Sequence, residues 1–152
     1  MAGRTDFSHD EWTALRRAMI GSAVIVATAE GGKADMISEM LAVSEHLLGA
    51  RRGHPSQLVR ELADITRFDS GFQTGMTAAQ FEGPALEAIR TATALVTART
   101  PGDAAAFRRF LVELAETAAN AHKEGGLMRM GGSRVSQAEA AAILRVKKAL
   151  GD

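Results

Sequence analysis

The sequence holds no cysteine and no tyrosine, and only one tryptophan and three prolines. Without cysteine there is no disulfide, no thiolate nucleophile and no zinc site built on sulfur. That absence leaves the redox compartment open. Aromatic residues amount to 5% of the chain while apolar residues reach 46%. Strands draw on aromatic and β-branched side chains, so a composition rich in alanine, leucine, methionine and glutamate favours packed helices. An excess of charge of either sign is also lacking: 18 basic and 18 acidic groups cancel. Residues 1–76 carry 8 basic and 10 acidic groups and residues 77–152 carry 10 and 8, so the halves differ only from −2 to +2. Neither offers the dense positive field that a phosphate backbone requires, and no nucleic acid partner is expected. Long apolar runs are missing too. The most apolar stretch, Ala18 to Ala29, falls short of the roughly 20 residues a bilayer span needs. The opening MAGRTDFSHDEW has no apolar signal core. These features predict a cytoplasmic protein without membrane contact. Its 152 residues suit one helical domain over 1–152, large enough to bury a core.

Periodicity and capping signals divide the chain into six or seven helices. Ser8 with Glu11 three residues on is a capping box, and Phe7 and Trp12 stand at the positions of a hydrophobic staple. The first helix is expected to reach about Met19, where Gly21 loosens the pattern. MIGSAVIVATAE then reads as a buried second helix that ends at EGGK. A third helix is expected over Ala34 to Leu48, with Ile37, Met40, Leu41, Ser44, Leu47 and Leu48 on one stripe. Ser56 starts a fourth, facing Leu58, Leu62, Ile65 and Phe68 inward. FDSGFQTGMT, residues 68 to 77, reads as an irregular link. Thr77 and Gln80 form a second capping box, opening a short turn that Gly83 and Pro84 should interrupt before a helix to Ala98. Thr100 is expected to cap a helix that has Pro101 in its first turn and runs to Lys123. Ser136 and Glu139 open the last helix, and Gly151 ends it. The fold class predicted is all-α.

Between the last two helices lies EGGLMRMGGS, with two glycine pairs. Gly126 to Ser133 overlays the phosphate-loop pattern at both glycines and the serine, but Gly132 stands where that motif needs lysine, and no strand precedes it. Nucleotide hydrolysis by that route is excluded. A softer anion site is still conceivable: Lys123, Arg129 and Arg134 supply charge, and the backbone of Gly125, Gly126, Gly131 and Gly132 can turn amides toward an anion beside a helix start. Residues 123–148 hold six basic and two acidic side chains. Against this stands a reading in which the glycines simply end two helices and Leu127, Met128 and Met130 tuck beneath them. The loop lacks the alternating acidic residues of an oxygen-ligand cation site, and no cofactor or metal is expected.

His9, His46, His54 and His122 share no close metal-ligand spacing and read as solvated surface. Glu39 and His46 lie two turns apart on one face and could meet Glu113 or Glu116 if their helices neighbour. The Glu-x-x-His pair of di-iron bundles is missing, and no nucleophile–base–acid set can be named. Met36 and Met40 give the third helix an adaptable apolar face; such a stripe is commonly core, and where it is exposed it points to self-association or a protein partner.

The segment TPGDAAAFRRFLVELAETAANAHKEGGLMRMGGSRVSQAE resembles the closing part of a family of small all-helical bacterial proteins. The matching residues are Pro101 to Asp103, Glu124 to Gly126, Gly131 and Gly132, and Val135 to Glu139. The likeness covers about the last 55 residues, and FSHDEWTALRRA matches more loosely. The family implies an all-helical fold and brings no activity. Where its members carry an aromatic in the loop, this chain has Met128 or Met130. A remoter likeness, carried by AEGG and KEGG, is to helical domains of the tellurite-resistance type. Loop carboxylates that would hold a cation there are mostly missing, so it does not imply cation binding. Together these readings predict a non-catalytic helical binding or stress-associated accessory protein that self-associates. The alternative is a binder of small anions through residues 125–132 and the basic residues around them.

Overall fold

The computed structural model describes residues 3–29, 33–64, 77–124 and 136–151, and for residues 33–36, 78 and 122–124 the backbone only. Six α-helices follow one another: α1 (His9–Ala27), α2 (Lys33–Gly53), α3 (Gln57–Leu62), α4 (Ala78–Arg99), α5 (Ala104–Glu124) and α6 (Gln137–Ala149). Short 3-10 turns at Arg4–Asp6 and Pro101–Asp103 precede α1 and α5. No strand occurs among the described residues. The fold is an all-α bundle.

The start of α1 follows from its residues. Ser8 Oγ accepts from the Glu11 N–H at 3.1 Å, and a Glu11 carboxylate oxygen accepts from the Ser8 N–H at 2.8 Å. The Phe7 and Trp12 rings meet at 6.0 Å, which fixes the entry of the chain. The expected break near Met19 does not occur, and the two predicted helices are one. Every residue from Ala18 to Ala27 is buried. A helix enclosed on all sides carries no polar stripe, which is why Val24, Ile25 and Val26 look strand-like in isolation. Gly21 sits within it at a cost of roughly 1 kcal/mol in helix propensity. In return α4 comes close: a Cβ at Gly21 would lie 3.4 Å from that of Ala85.

Other boundaries shift for similar reasons. α2 continues past Leu48 to Gly53. The second capping box forms as expected, with Thr77 Oγ1 accepting from Gln80 N–H and Gln80 Oε1 from Thr77 N–H. However, α4 runs unbroken through Gly83 and Pro84. Phe81 and Ala85, four residues apart on one face, are both buried, and only a continuous helix keeps both inside. Thr100 does not cap as predicted. Its hydroxyl donates back to Val96 O, and a 3-10 turn leads into α5. Ser56 caps α3 by accepting from Val59 N–H, while the expected inward residues Ile65 and Phe68 lie outside the described residues, as does the link over 68–76. At the last helix Ser136 Oγ accepts from Glu139 N–H. Gly151 ends it with φ 91°, the left-handed conformation that glycine adopts without strain.

α1 is the central rod and packs chiefly on α4 and α5, with α6 against all three. α2 lies along α5, and α3 fills the angle beneath them. One apolar cluster draws on all six helices, with Leu15, Met19, Ile25, Leu58, Leu62, Ile89, Phe107, Phe110, Leu111 and Leu114 enclosed at its centre. Burying each such side chain is worth about 1.5–3 kcal/mol. Ion pairs fasten the ends: Arg99 on Glu11 at 2.7 Å, Arg51 on Asp64 at 3.1 Å, and Arg145 on Glu82. The N-terminal turn is held by α3, because Arg4 N–H donates to Glu61 Oε2 at 2.6 Å. Beside it the buried Trp12 ring lies under the guanidinium carbons of Arg4 and Arg16, at 5.4 and 6.0 Å. Its indole N–H meets no acceptor among the described residues.

Candidate functional site

α2 places two different surfaces on the outside of the bundle. At 100° per residue, Val43, Leu47 and Ala50 fall on one side of the helix and are buried. Ile37, Leu41 and Leu48 fall close together about 130° round the helix from them and are 73%, 61% and 47% exposed. The single stripe expected from the sequence is therefore two faces. Leu47 turns inward, Met40 rests half-buried against the core, and the remaining three apolar residues point to water. Between Leu41 and Leu48 on the outer face sits Ser44, whose hydroxyl donates to Met40 O at 2.8 Å and is thereby turned onto its own helix. α2 is thus apolar on both faces, although only one of them reaches the core.

Between α2 and α5 runs an open cleft of about 510 Å³, lined by Ala42, Glu45, His46, Glu113, Glu116, Thr117, Asn120 and Ala121. The two helices do neighbour, so the pairing of His46 with Glu113 is realised: Nε2 and Oε2 are 3.5 Å apart. Glu116 lines the same cleft and lies 4.0 Å from Lys147 of α6. Glu39 is buried and is not among the residues that line the cleft. His46 stacks on Phe110 with centroids 5.8 Å apart, and His54 meets the same ring edge-on at 5.6 Å. His54 Nδ1 also accepts from Ser56 N–H. Both rings therefore do structural packing that the reading of them as solvated surface groups did not foresee.

Two other polar side chains of the cleft are turned onto their own helix. Thr117 Oγ1 donates to Glu113 O at 2.7 Å and Asn120 Nδ2 to Glu116 O at 2.8 Å, both within their own helix. What remains is the half-exposed His46–Glu113 pair with the Glu45 and Glu116 carboxylates, and among the described residues no nucleophile or fixed donor for a developing charge converges on it. Among the described residues, no three His, Asp or Glu side chains gather as a metal ion would require. Nor is any described helix long and apolar enough to cross a membrane.

The anion-binding residues expected from the sequence lie outside this account. Gly125, Gly126, Arg129, Gly131, Gly132 and Arg134 fall outside the described residues, and Lys123 is described by its backbone alone, near the end of α5. Ala42, Thr117 and Asn120 reach the cleft through helix pairing, which no local signal announces. The outer seam of α2 did have a signal, the exact recurrence of apolar residues, but it was merged with the inward face. The chain matches no protein-family model, no curated protein and no solved structure.

Proposed function

We propose that this protein is a non-catalytic helical binding protein, an accessory component that works by contact with another protein surface and associates with itself through the outer face of α2. One observation carries the reading: Ile37, Leu41 and Leu48 form an aligned apolar strip in water, turned away from the face that packs on the core. Polar residues there would leave the core untouched. Burying each of these side chains on a partner would gain up to about 1.5–3 kcal/mol. Exposed single apolar residues are ordinary, whereas an aligned set marks an interaction surface. Leu144 on α6, 65% exposed, is of the isolated kind. In the α2–α5 cleft Thr117 and Asn120 are bonded to their own helix, which supports contact over chemistry. The resemblance to small bacterial helical proteins brings no activity, and the tellurite-resistance likeness is the one pointer to stress.

Light scattering of the purified chain is the test. Wild type should show a mass above that of the monomer, rising with concentration. Leu41→Lys and Leu48→Lys should return it to monomer with unchanged ellipticity. A wild type that stays monomeric at every concentration would sink the self-associating reading. Thermal stabilisation by inorganic phosphate that disappears in Arg129→Ala and Arg134→Ala would favour the small-anion alternative.

A further inference from the structure

We infer that residues 3–6 are a strap that opens on its own, hinged at Phe7 and closed by the Glu61 carboxylate, and that its opening bares the Trp12 ring while the bundle stays folded. The inference goes beyond the contact function above and does not depend on it. The strap has little of its own to hold with. Arg4, Thr5 and Asp6 are exposed, and the 3-10 turn they form buries no side chain. Two of its hydrogen bonds are internal: Asp6 N–H donates to Gly3 O at 3.0 Å, and Gly3 N–H to Asp6 Oδ2 at 2.8 Å. They shape the turn and do not fasten it to the bundle.

What fastens it is Glu61 of α3. Arg4 N–H donates to Glu61 Oε2 at 2.6 Å, and Gln57 Nε2, one helical turn earlier, donates to Oε1 at 2.7 Å. The carboxylate is thus aimed at the strap from its own helix. The approach is close enough to need glycine: a Cβ at Gly3 would lie 2.8 and 2.9 Å from the two Glu61 oxygens and 3.0 Å from Gln57 Nε2. The Gly3 φ of −159° is extended backbone open to any residue, so the glycine supplies space and not conformation.

Beneath the strap lies Trp12, 3% exposed. One group over its ring is the Arg4 guanidinium at 5.4 Å, carried by an exposed side chain of the strap itself. Lifting the strap removes that cover. Arg16 stays behind, because it is rooted in α1 and its Nη2 donates to Asp64 O at 2.9 Å. The Phe7–Trp12 contact and the Ser8–Glu11 cap belong to the start of α1 and mark the hinge. Segments with few buried apolar contacts open at a free energy far below that of global unfolding. The indole N–H has no acceptor among the described residues. An unpartnered buried donor favours a state that brings it water, which lowers the cost of opening.

Hydrogen exchange followed by nuclear magnetic resonance tests this. The chain has one tryptophan, so the indole N–H of Trp12 gives a unique signal. In wild type that N–H should exchange with little dependence on urea. The backbone amides of Leu15 to Ile25 should instead show the steep dependence of global unfolding. Glu61→Ala removes the anchor and should speed indole exchange about ten-fold or more relative to those amides, the weight of one hydrogen bond to a charged group. Gly3→Ala pushes the Glu61 carboxylate off the Arg4 N–H and should act in the same direction while leaving the residues of α3 intact. An indole N–H that exchanges only together with the Leu15–Ile25 amides, at the same urea dependence, would overturn the strap. So would an unchanged ratio of the two rates in either variant. A wild-type rate equal to that of free indole would also overturn it, because nothing would then be covered.

Discussion

At the scale of single residues, Glu11 joins a helix cap to an ion pair between helices. Its carboxylate accepts from the Ser8 N–H and pairs with Arg99. The Ser8 amide, with Arg99 behind it, holds the Glu11 carboxyl below its ordinary 4.5. A carboxylate with a lowered pKa adds stability that is fully present above its unfolded value and is lost as the pH falls through its folded value. The gap in melting temperature between wild type and Glu11→Gln should therefore be constant near neutrality and shrink as the pH drops below 4.5. A gap that stays level to pH 3 would refute the assignment. Gly21 gives a second residue-scale expectation. Its hydrogen faces Ala85 at the α1–α4 crossing, so Gly21→Leu should cost about 1–3 kcal/mol in urea unfolding through overpacking, and Ala85→Gly should restore part of the loss. The capping box at Ser8 and the Phe7–Trp12 staple are legible in sequence because both are local. The closeness of Gly21 to Ala85 is not, because nothing within α1 names its neighbour 64 positions away.

At the scale of elements, the sequence shows where helices begin better than where they continue. Ser8, Ser56, Thr77 and Ser136 all start helices as read, each through a hydroxyl that accepts from the N–H three residues on. The breaks read at Gly21 and at Gly83–Pro84 are overridden by burial on either side of them. α4 bears a specific penalty for this. Pro84 has no N–H for the carbonyl of Gln80, and both residues are exposed, so water can reach the gap. Pro84→Ala supplies the missing donor and should raise stability by about 1–3 kcal/mol, measured as a higher urea midpoint with unchanged slope. A loss of stability would mean that the proline shapes the bundle. The two faces of α2 were legible in the spacing, yet assigning them required knowing that α5 lies against Val43 and Leu47. The fold class was readable from composition and period; the cleft emerges only when helices pair.

At the scale of the whole molecule, the bundle closes its core around α1 and leaves one long helix, α2, on the periphery with a surplus apolar edge. The aligned part of that edge is small beside the roughly 800 Å² per partner of a standard stable interface, so pairing through it should be readily reversible. The apparent melting temperature of wild type should accordingly rise with protein concentration, and that of Leu41→Lys should not. The amino-terminal corner has a different use. The chain has no tyrosine and a single tryptophan, so its ultraviolet emission comes from the Trp12 indole. That ring is roofed by Arg4 of the first turn, which Glu61 anchors to α3. Emission colour therefore reports whether the amino-terminal corner is latched, while ellipticity reports the rods, and the molecule carries separate optical gauges for its edge and its body.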